Sequence, residues 1–249
     1  MTGLPKPPVE IEEILGRSEQ GRTRPFLCRC DDDALYYVKG TFANRRSLIC
    51  EWVAGRLATG FGLNVPSFEI AYAPKELVEL HPEGRDLGFG PVFASQVAPN
   101  LNEILFTQLG RVPLKVRQDV VAFDWWINNP DRTLTAMGGN PNLLWNASSE
   151  QLVVIDHNLA FDPAFDAGAF RETHIFQNEF NALRADLVLM AQYATRMQKT
   201  LELWDHTWEL IPEEWLFHDD EQTVPIDFDP VACRQFLSRC STEELWRLP

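Results

Sequence analysis

The sequence predicts an α+β protein, with strands gathered in the first hundred residues and helices in the rest. Three observations point there. Apolar residues recur every second position in the first part, and at a period of 3.6 from about residue 114 onward. Turn-forming residues punctuate the first part at short intervals. One long amphipathic stripe runs through the second part. The 249 residues amount to one or two domains at about 150 residues each. The expected organisation is bilobed, with a small antiparallel β-sheet lobe carrying one helix over 1–97 and a larger helical lobe over 98–249.

Val9 to Ile14, Pro25 to Cys30 and Leu35 to Val38 read as three strands of a meander, with Asp31-Asp-Asp33 forming the second turn. Asn44 is a good cap for a helix over 45–58, in which Leu48, Trp52, Ala54 or Gly55, and Ala58 share a face, and Gly60 and Gly62 stop it. Val65 to Ala71 and Pro91 to Val97 complete the sheet, and Pro82 to Gly90 between them reads as a surface loop. In the second part Val116, Val120, Phe123 and Ile127 lie on one face of a helix over 114–128. Leu183, Leu187, Met190, Ala194, Met197, Leu201, Trp204 and Trp208 then step by four and three, which predicts one helix of more than six turns serving as core scaffold. Asp229-Pro230 begins a short helix, and Ser241-Thr-Glu-Glu244 matches a capping box.

Lys and Arg number 22 against 36 Asp and Glu, a net charge of −14, so direct binding to nucleic acid or an anionic membrane is not expected. No apolar run approaches the ~18 residues of a membrane span, and the opening Met1-Thr-Gly-Leu-Pro-Lys lacks a signal-like apolar stretch. A cytoplasmic protein with no membrane insertion is expected. Cys28, Cys30, Cys50, Cys233 and Cys240 have no metal-site spacing and read as reduced, mostly buried thiols.

The chemistry concentrates between the two strong helical patterns. A helix ends at Asn128-Asn129-Pro130, a polar loop carries Asp131, and a hairpin follows from Leu143 to Asn146 and from Leu152 to Ile155, with Asp156 at its end. Paired antiparallel strands bring such ends close together. A carboxylate, an Asn and a second carboxylate converging there suit phosphoryl transfer, the first handling the acceptor proton and the other two holding Mg²⁺. Upstream, Lys39 closes a strand and Glu51 lies on the next helix, an arrangement able to aim an ammonium at nucleotide phosphates.

Tyr37-Val-Lys39, Glu51 with Arg56-Leu-Ala58, Gly62-Leu-Asn-Val-Pro66, Asn129-Pro-Asp-Arg-Thr133, Asn140-Pro-Asn-Leu-Leu-Trp145 and Val154-Ile-Asp-His157 together resemble the HipA-like kinases. These are a bacterial branch of the protein-kinase-like fold, related to phosphoinositide lipid kinases. The resemblance spans residues ~10 to 162 and implies ATP and Mg²⁺ as cofactors, bound in a cleft between the lobes. It implies Asp131 as catalytic base, Lys39 on the α and β phosphates with Glu51 holding it, Asp156 as principal Mg²⁺ ligand and Asn142 as a second, with Asn140 as the alternative. Gly16, Ser18, Gly21 and Thr23 fall where a phosphate-covering loop belongs, and the Gln96 and Val97 backbone where adenine is met. Two departures stand out. Leu134 to Gly139 lengthen the spacer between Asp131 and Asn142, and His157-Asn158 replaces the usual Phe-Gly, although a His there fits the HipA-like branch. The expected activity is phosphorylation of a protein Ser or Thr hydroxyl. The alternatives are a kinase of a small molecule or lipid headgroup, and a nucleotide-binding pseudokinase acting as an interaction module.

Overall fold

The computed structural model describes residues 8–18, 23–135 and 137–247. The alternating segments form a five-stranded antiparallel sheet from β1 (Ile11–Arg17), β2 (Phe26–Cys30), β3 (Leu35–Lys39), β4 (Phe68–Ala73) and β5 (Gly90–Gln96), in the order β1-β2-β3-β5-β4. Successive strand residues point to opposite faces, so Phe26, Cys28, Cys30, Tyr36, Val38, Ala71, Ala73, Val92 and Ala94 fall on one side and build a core with Val78 and Leu87. Burial pushes the Cys28 and Cys30 thiols up to about 12, which keeps them unreactive.

Two short helices, α2 (Lys75–Leu80) and α3 (Gly84–Leu87), join β4 to β5. The stretch expected as a surface loop therefore contains a helical turn whose Leu87 is fully buried. That turn packs so closely that a Cβ on Gly84 would sit 1.8 Å from the Val78 carbonyl oxygen. The helix α1 (Arg45–Phe61) starts as expected, with Asn44 Oδ1 accepting the Ser47 N–H at 2.9 Å. It ends on Gly62 at φ +90°, where the Leu63 N–H reaches back to the Ala58 carbonyl.

Two compact units emerge. One comprises Met1–Ile49, Pro66–Pro99 and Pro212–Ile226, and the other Cys50–Val65, Asn100–Ile211 and Asp227–Pro249. They interleave along the chain, where the sequence suggested a single division at 97/98, and the cut falls inside α1.

In the second unit α4 (Leu114–Trp126) is buried from Asp119 onward. The strands β6 (Asn102–Glu103), β9 (Leu143–Asn146) and β10 (Gln151–Val154) form one sheet, and β7 (Thr133–Thr135) pairs with β8 (Gly138–Asn140) as a separate ribbon. Five helices follow: α5 (Ala167–Thr173), α6 (Gln177–Arg184), α7 (Leu187–Leu201), α8 (Trp204–Glu209) and α9 (Pro230–Leu237).

The single long helix expected over 183–208 is thus three helices. Asp186 breaks it first, because its carboxylate accepts the Val188 and Leu189 N–H groups at 2.9 Å and begins α7 afresh. The second break follows Leu201, where the Leu203 N–H turns back to Thr200. The stripe is also not core throughout, since Leu183 and Met197 are buried while Leu187 is 79% exposed. Asp229 caps α9 as expected. In the expected capping box the cap is Thr242, not Ser241, and it opens a single 3₁₀ turn over Glu243–Trp246. Among the described residues no helix is long and apolar enough to cross a membrane.

Candidate active site

The end of α4 carries the chain into the site. Asn128 takes a left-handed φ of 50°, and the Asn129 N–H returns to the Asp124 carbonyl at 2.9 Å, which throws Asp131 out of the helix. The ribbon then cancels the long spacer. Thr133 pairs with Asn140 and Thr135 with Gly138, so the extra residues run out and back. Gly139 permits this closeness, because a Cβ there would lie 2.5 Å from the Thr133 carbonyl oxygen. As a result both Asn candidates meet Asp131. The Asn140 amide donates to Asp131 Oδ2 at 2.8 Å, and the Asn142 amide donates to the same oxygen at 3.1 Å and to the Asp131 carbonyl at 3.0 Å.

The β9–β10 hairpin brings in Asp156. Leu143 pairs with Val154, and the Ile155 N–H donates to the Asn142 carbonyl at 3.1 Å, so Asn142 and Asp156 flank the same end of the ladder. Each takes a left-handed φ, 47° and 57°. Such conformations persist in non-glycine residues only where surroundings hold them, and they gather at functional sites. Burial raises the Asp131 carboxyl above its ordinary value and the Asp156 charge adds to this, against the amides of Asn140 and Asn142 and the charge of Arg132. Glu51, 3% exposed on α1, accepts the His157 N–H at 3.0 Å and so anchors the residue after Asp156. The His157 ring sits edge-on to Phe123, with centroids 6.0 Å apart.

The site also rests on residues that the sequence reading left without a role. Arg132 is fully buried. Its Nε donates to Asp124 Oδ2 at 2.7 Å, and its Nη1 donates to the carbonyls of Asn142 and Ile155. Asp124 is fully buried as well and further accepts the Asn129 amide at 2.9 Å. The His174 Nε2 lies 3.0 Å from Asp124 Oδ2, while His174 Nδ1 accepts the Phe176 N–H, so the ring proton belongs on Nε2 and points at Asp124. One signal for this cluster was legible, a lone Asp inside the aromatic run Phe123-Asp-Trp-Trp126. A carboxylate on a buried helix face needs partners.

In the first unit Lys39 closes β3, half-buried and opposite Phe93. Gln96 stands opposite Tyr36, and the Val97 N–H donates to the Leu35 carbonyl at 2.8 Å, so all three lie along one strand pair. Gly16 pairs with Leu27 beside a register shift in β1, and the Ser18 N–H closes the hairpin onto the Pro25 carbonyl at 2.9 Å. Thr23 lies in the turn leading to β2, and Gly21 lies outside the described residues. Among the described residues no group of three or more His, Cys, Asp or Glu gathers as a metal cage.

Among solved structures the chain is similar to the proinflammatory kinase CtkA of Helicobacter pylori, at 12% identity over 87% of this chain and 88% of that one, with a TM-score of 0.44. It is similar also to the open conformation of CtTel1, at 14% identity and a TM-score of 0.31, where 94% of this chain matches 11% of that one. No curated protein matches the sequence. The model of the HipA-like kinase family matches residues 11–249, and the chain belongs to that family.

Proposed function

We propose that this HipA-like kinase uses ATP and Mg²⁺ to phosphorylate a Ser or Thr hydroxyl of a protein. The observation that supports the reading most is the meeting of Asp131, Asn140 and Asn142, with Asp156 at the same hairpin end. Asn142 spends its amide N–H₂ on Asp131, which leaves Oδ1 as its atom for a metal ion. That oxygen and the Asp156 carboxylate are hard donors of the kind Mg²⁺ takes, one or two from the protein and the rest from phosphates and water. The donor set therefore fits the ion. Bound there, Mg²⁺ would neutralise charge on the nucleotide phosphates as the γ-phosphoryl group is transferred.

Asp131 orients the acceptor hydroxyl and receives its proton. Its Oδ2 is fixed by two amides, so Oδ1 is the atom that takes the proton. Lys39 holds the α and β phosphates, the Gln96 and Val97 backbone meets adenine, and Gly16, Ser18 and Thr23 cover phosphate. The lengthened spacer closes on itself as β7 and β8.

The test combines binding and turnover. Saturating ATP with Mg²⁺, at ~100 times the dissociation constant, should stabilise the wild type by about 2.7 kcal/mol in thermal melts. Asp156→Ala should abolish the Mg²⁺-dependent part. Asp131→Asn should keep it while phosphorylation of an acceptor peptide falls by about 10²- to 10⁴-fold. A folded wild type that shows no shift with ATP and Mg²⁺ overturns the proposal.

A further inference from the structure

We infer that Arg132, held in place by Asp124, is a positioning residue that sets the spacing and orientation of Asn142 and Asp156. The inference rests on the reading of those two residues as the Mg²⁺ ligands. The guanidinium is a rigid planar fork with five donors, and here its two sides face different structures. One side grips the Asp124 carboxylate, Nε at 2.7 Å from Oδ2 and Nη2 at 3.4 Å from Oδ1. The other side, through Nη1, reaches the Asn142 carbonyl at 2.5 Å and the Ile155 carbonyl at 3.1 Å.

Those two carbonyls are not arbitrary acceptors. The first belongs to one expected ligand, and the second to the peptide group that leads directly into the other. Fixing them fixes the peptide planes that begin Leu143 and Asp156. Both ligand residues sit in the left-handed region, where the backbone relaxes unless it is held. The ladder bond from the Ile155 N–H to the Asn142 carbonyl holds one of these two carbonyls, whereas Arg132 Nη1 holds both. A charged donor shared by both carbonyls does orient them.

Asp124 can serve as the fixed end because its own position is determined on every side. It accepts from Asn129, Arg132 and His174, and the His174 ring is pinned at its other nitrogen by the Phe176 N–H. Arg132 extends the same bracing through its own carbonyl, which accepts the Ile175 N–H at 2.9 Å. Partners behind metal ligands commonly change metal affinity by 10- to 100-fold when altered.

A purely structural arginine would change stability and leave metal affinity alone, and this separates the two roles. The experiment uses Arg132→Lys, which keeps the charge beside Asp124 but has no fork to span both sides. Binding of a non-hydrolysable ATP analogue is titrated by calorimetry at a series of Mg²⁺ concentrations, on protein verified as folded by circular dichroism. The positioning role predicts that the Mg²⁺ concentration for half-maximal enhancement rises about 10-fold or more, with metal-free nucleotide affinity unchanged. Asp124→Asn, which keeps the shape but loosens the grip on the guanidinium, should move it in the same direction by less. An unchanged Mg²⁺ midpoint in folded Arg132→Lys overturns the inference and leaves the reading of the ligands intact. Absence of any Mg²⁺ effect in the wild type overturns both. If neither variant folds, the pair is a core element and the inference falls.

Discussion

Two buried arginines, one in each compact unit, satisfy their charge in opposite ways. The Arg17 side chain is 4% exposed, with its guanidinium over the rings of Phe26 at 4.7 Å and Phe42 at 4.8 Å. Its Nη1 reaches Glu83 and Asp86 at 2.6 Å, carboxylates that are themselves 42% and 39% exposed. Its Nη2 has no hydrogen-bond partner among the described residues. Arg132 is fully buried. Its carboxylate is as dry as itself, and its remaining bonds end on backbone carbonyls at the site. The first arrangement adds packing to a surface ion pair. The second is a closed polar network in which each group depends on the others.

The largest effect should come from breaking the closed network. Asp124→Ala leaves the Arg132 guanidinium buried without a counter-charge, a loss of about 3–5 kcal/mol from a total that is usually about 5–15 kcal/mol. Urea denaturation would measure it, and a loss below about 1 kcal/mol would mean that water reaches the cluster and that the contrast with Arg17 is false. Arg17→Met should cost less, about 1–2 kcal/mol, because methionine fills much of the space between Phe26 and Phe42 and only the cation–π attraction and the ion pairs disappear. Glu83 and Asp86 stay hydrated when released, so no orphaned charge is created. Equal losses in the two variants would erase the distinction.

This contrast also marks where the sequence was legible. Strands β1 to β5 and the start of α1 could be read because alternation and an Asn cap are local signals. Asp131, Asp156 and an Asn at 142, with 140 as the alternative, could be read as candidates because turn and strand-end positions with those side chains are unusual in combination. The long helix was misread because periodicity reports a face, and Asp186 continues the polar side of that face while its carboxylate captures the backbone of α7. The choice between Asn140 and Asn142 was unreadable for a different reason. It depends on the ribbon pairing Thr133 with Asn140, which brings both amides to one carboxylate. Arg132 was present in the motif, yet its partners are two carbonyls and an Asp eight residues back, and backbone acceptors leave no trace in side-chain identity. His174 lies 50 residues from Asp124, and only the fold brings them together.

The smallest effect is a pH dependence that should belong to one arginine and not the other. Burial pushes the His174 imidazole below its ordinary value, and the Arg132 charge adds to this while Asp124 resists. Protonation would also place a proton on Nδ1, where the Phe176 N–H already donates. The unfolded chain takes up this proton near pH 6.5 and the folded chain does not, so the unfolded state binds more protons below that pH and stability falls as pH drops, with a slope of at most about 1.4 kcal/mol per pH unit. Asp124 adds a second limb. Burial pushes its carboxyl up, but the Arg132 charge and the His174 hydrogen bond outweigh this and hold it well below the usual carboxylate range. Its contribution is complete above about pH 4 and is lost as pH falls through the lower folded value. Between pH 7 and 5.5 the wild type should therefore lose about 1 kcal/mol in urea melts, while His174→Gln should be nearly flat over that interval. Arg17→Met should keep the wild-type slope there. If it flattens the profile as His174→Gln does, the acid sensitivity does not originate in the Asp124 network.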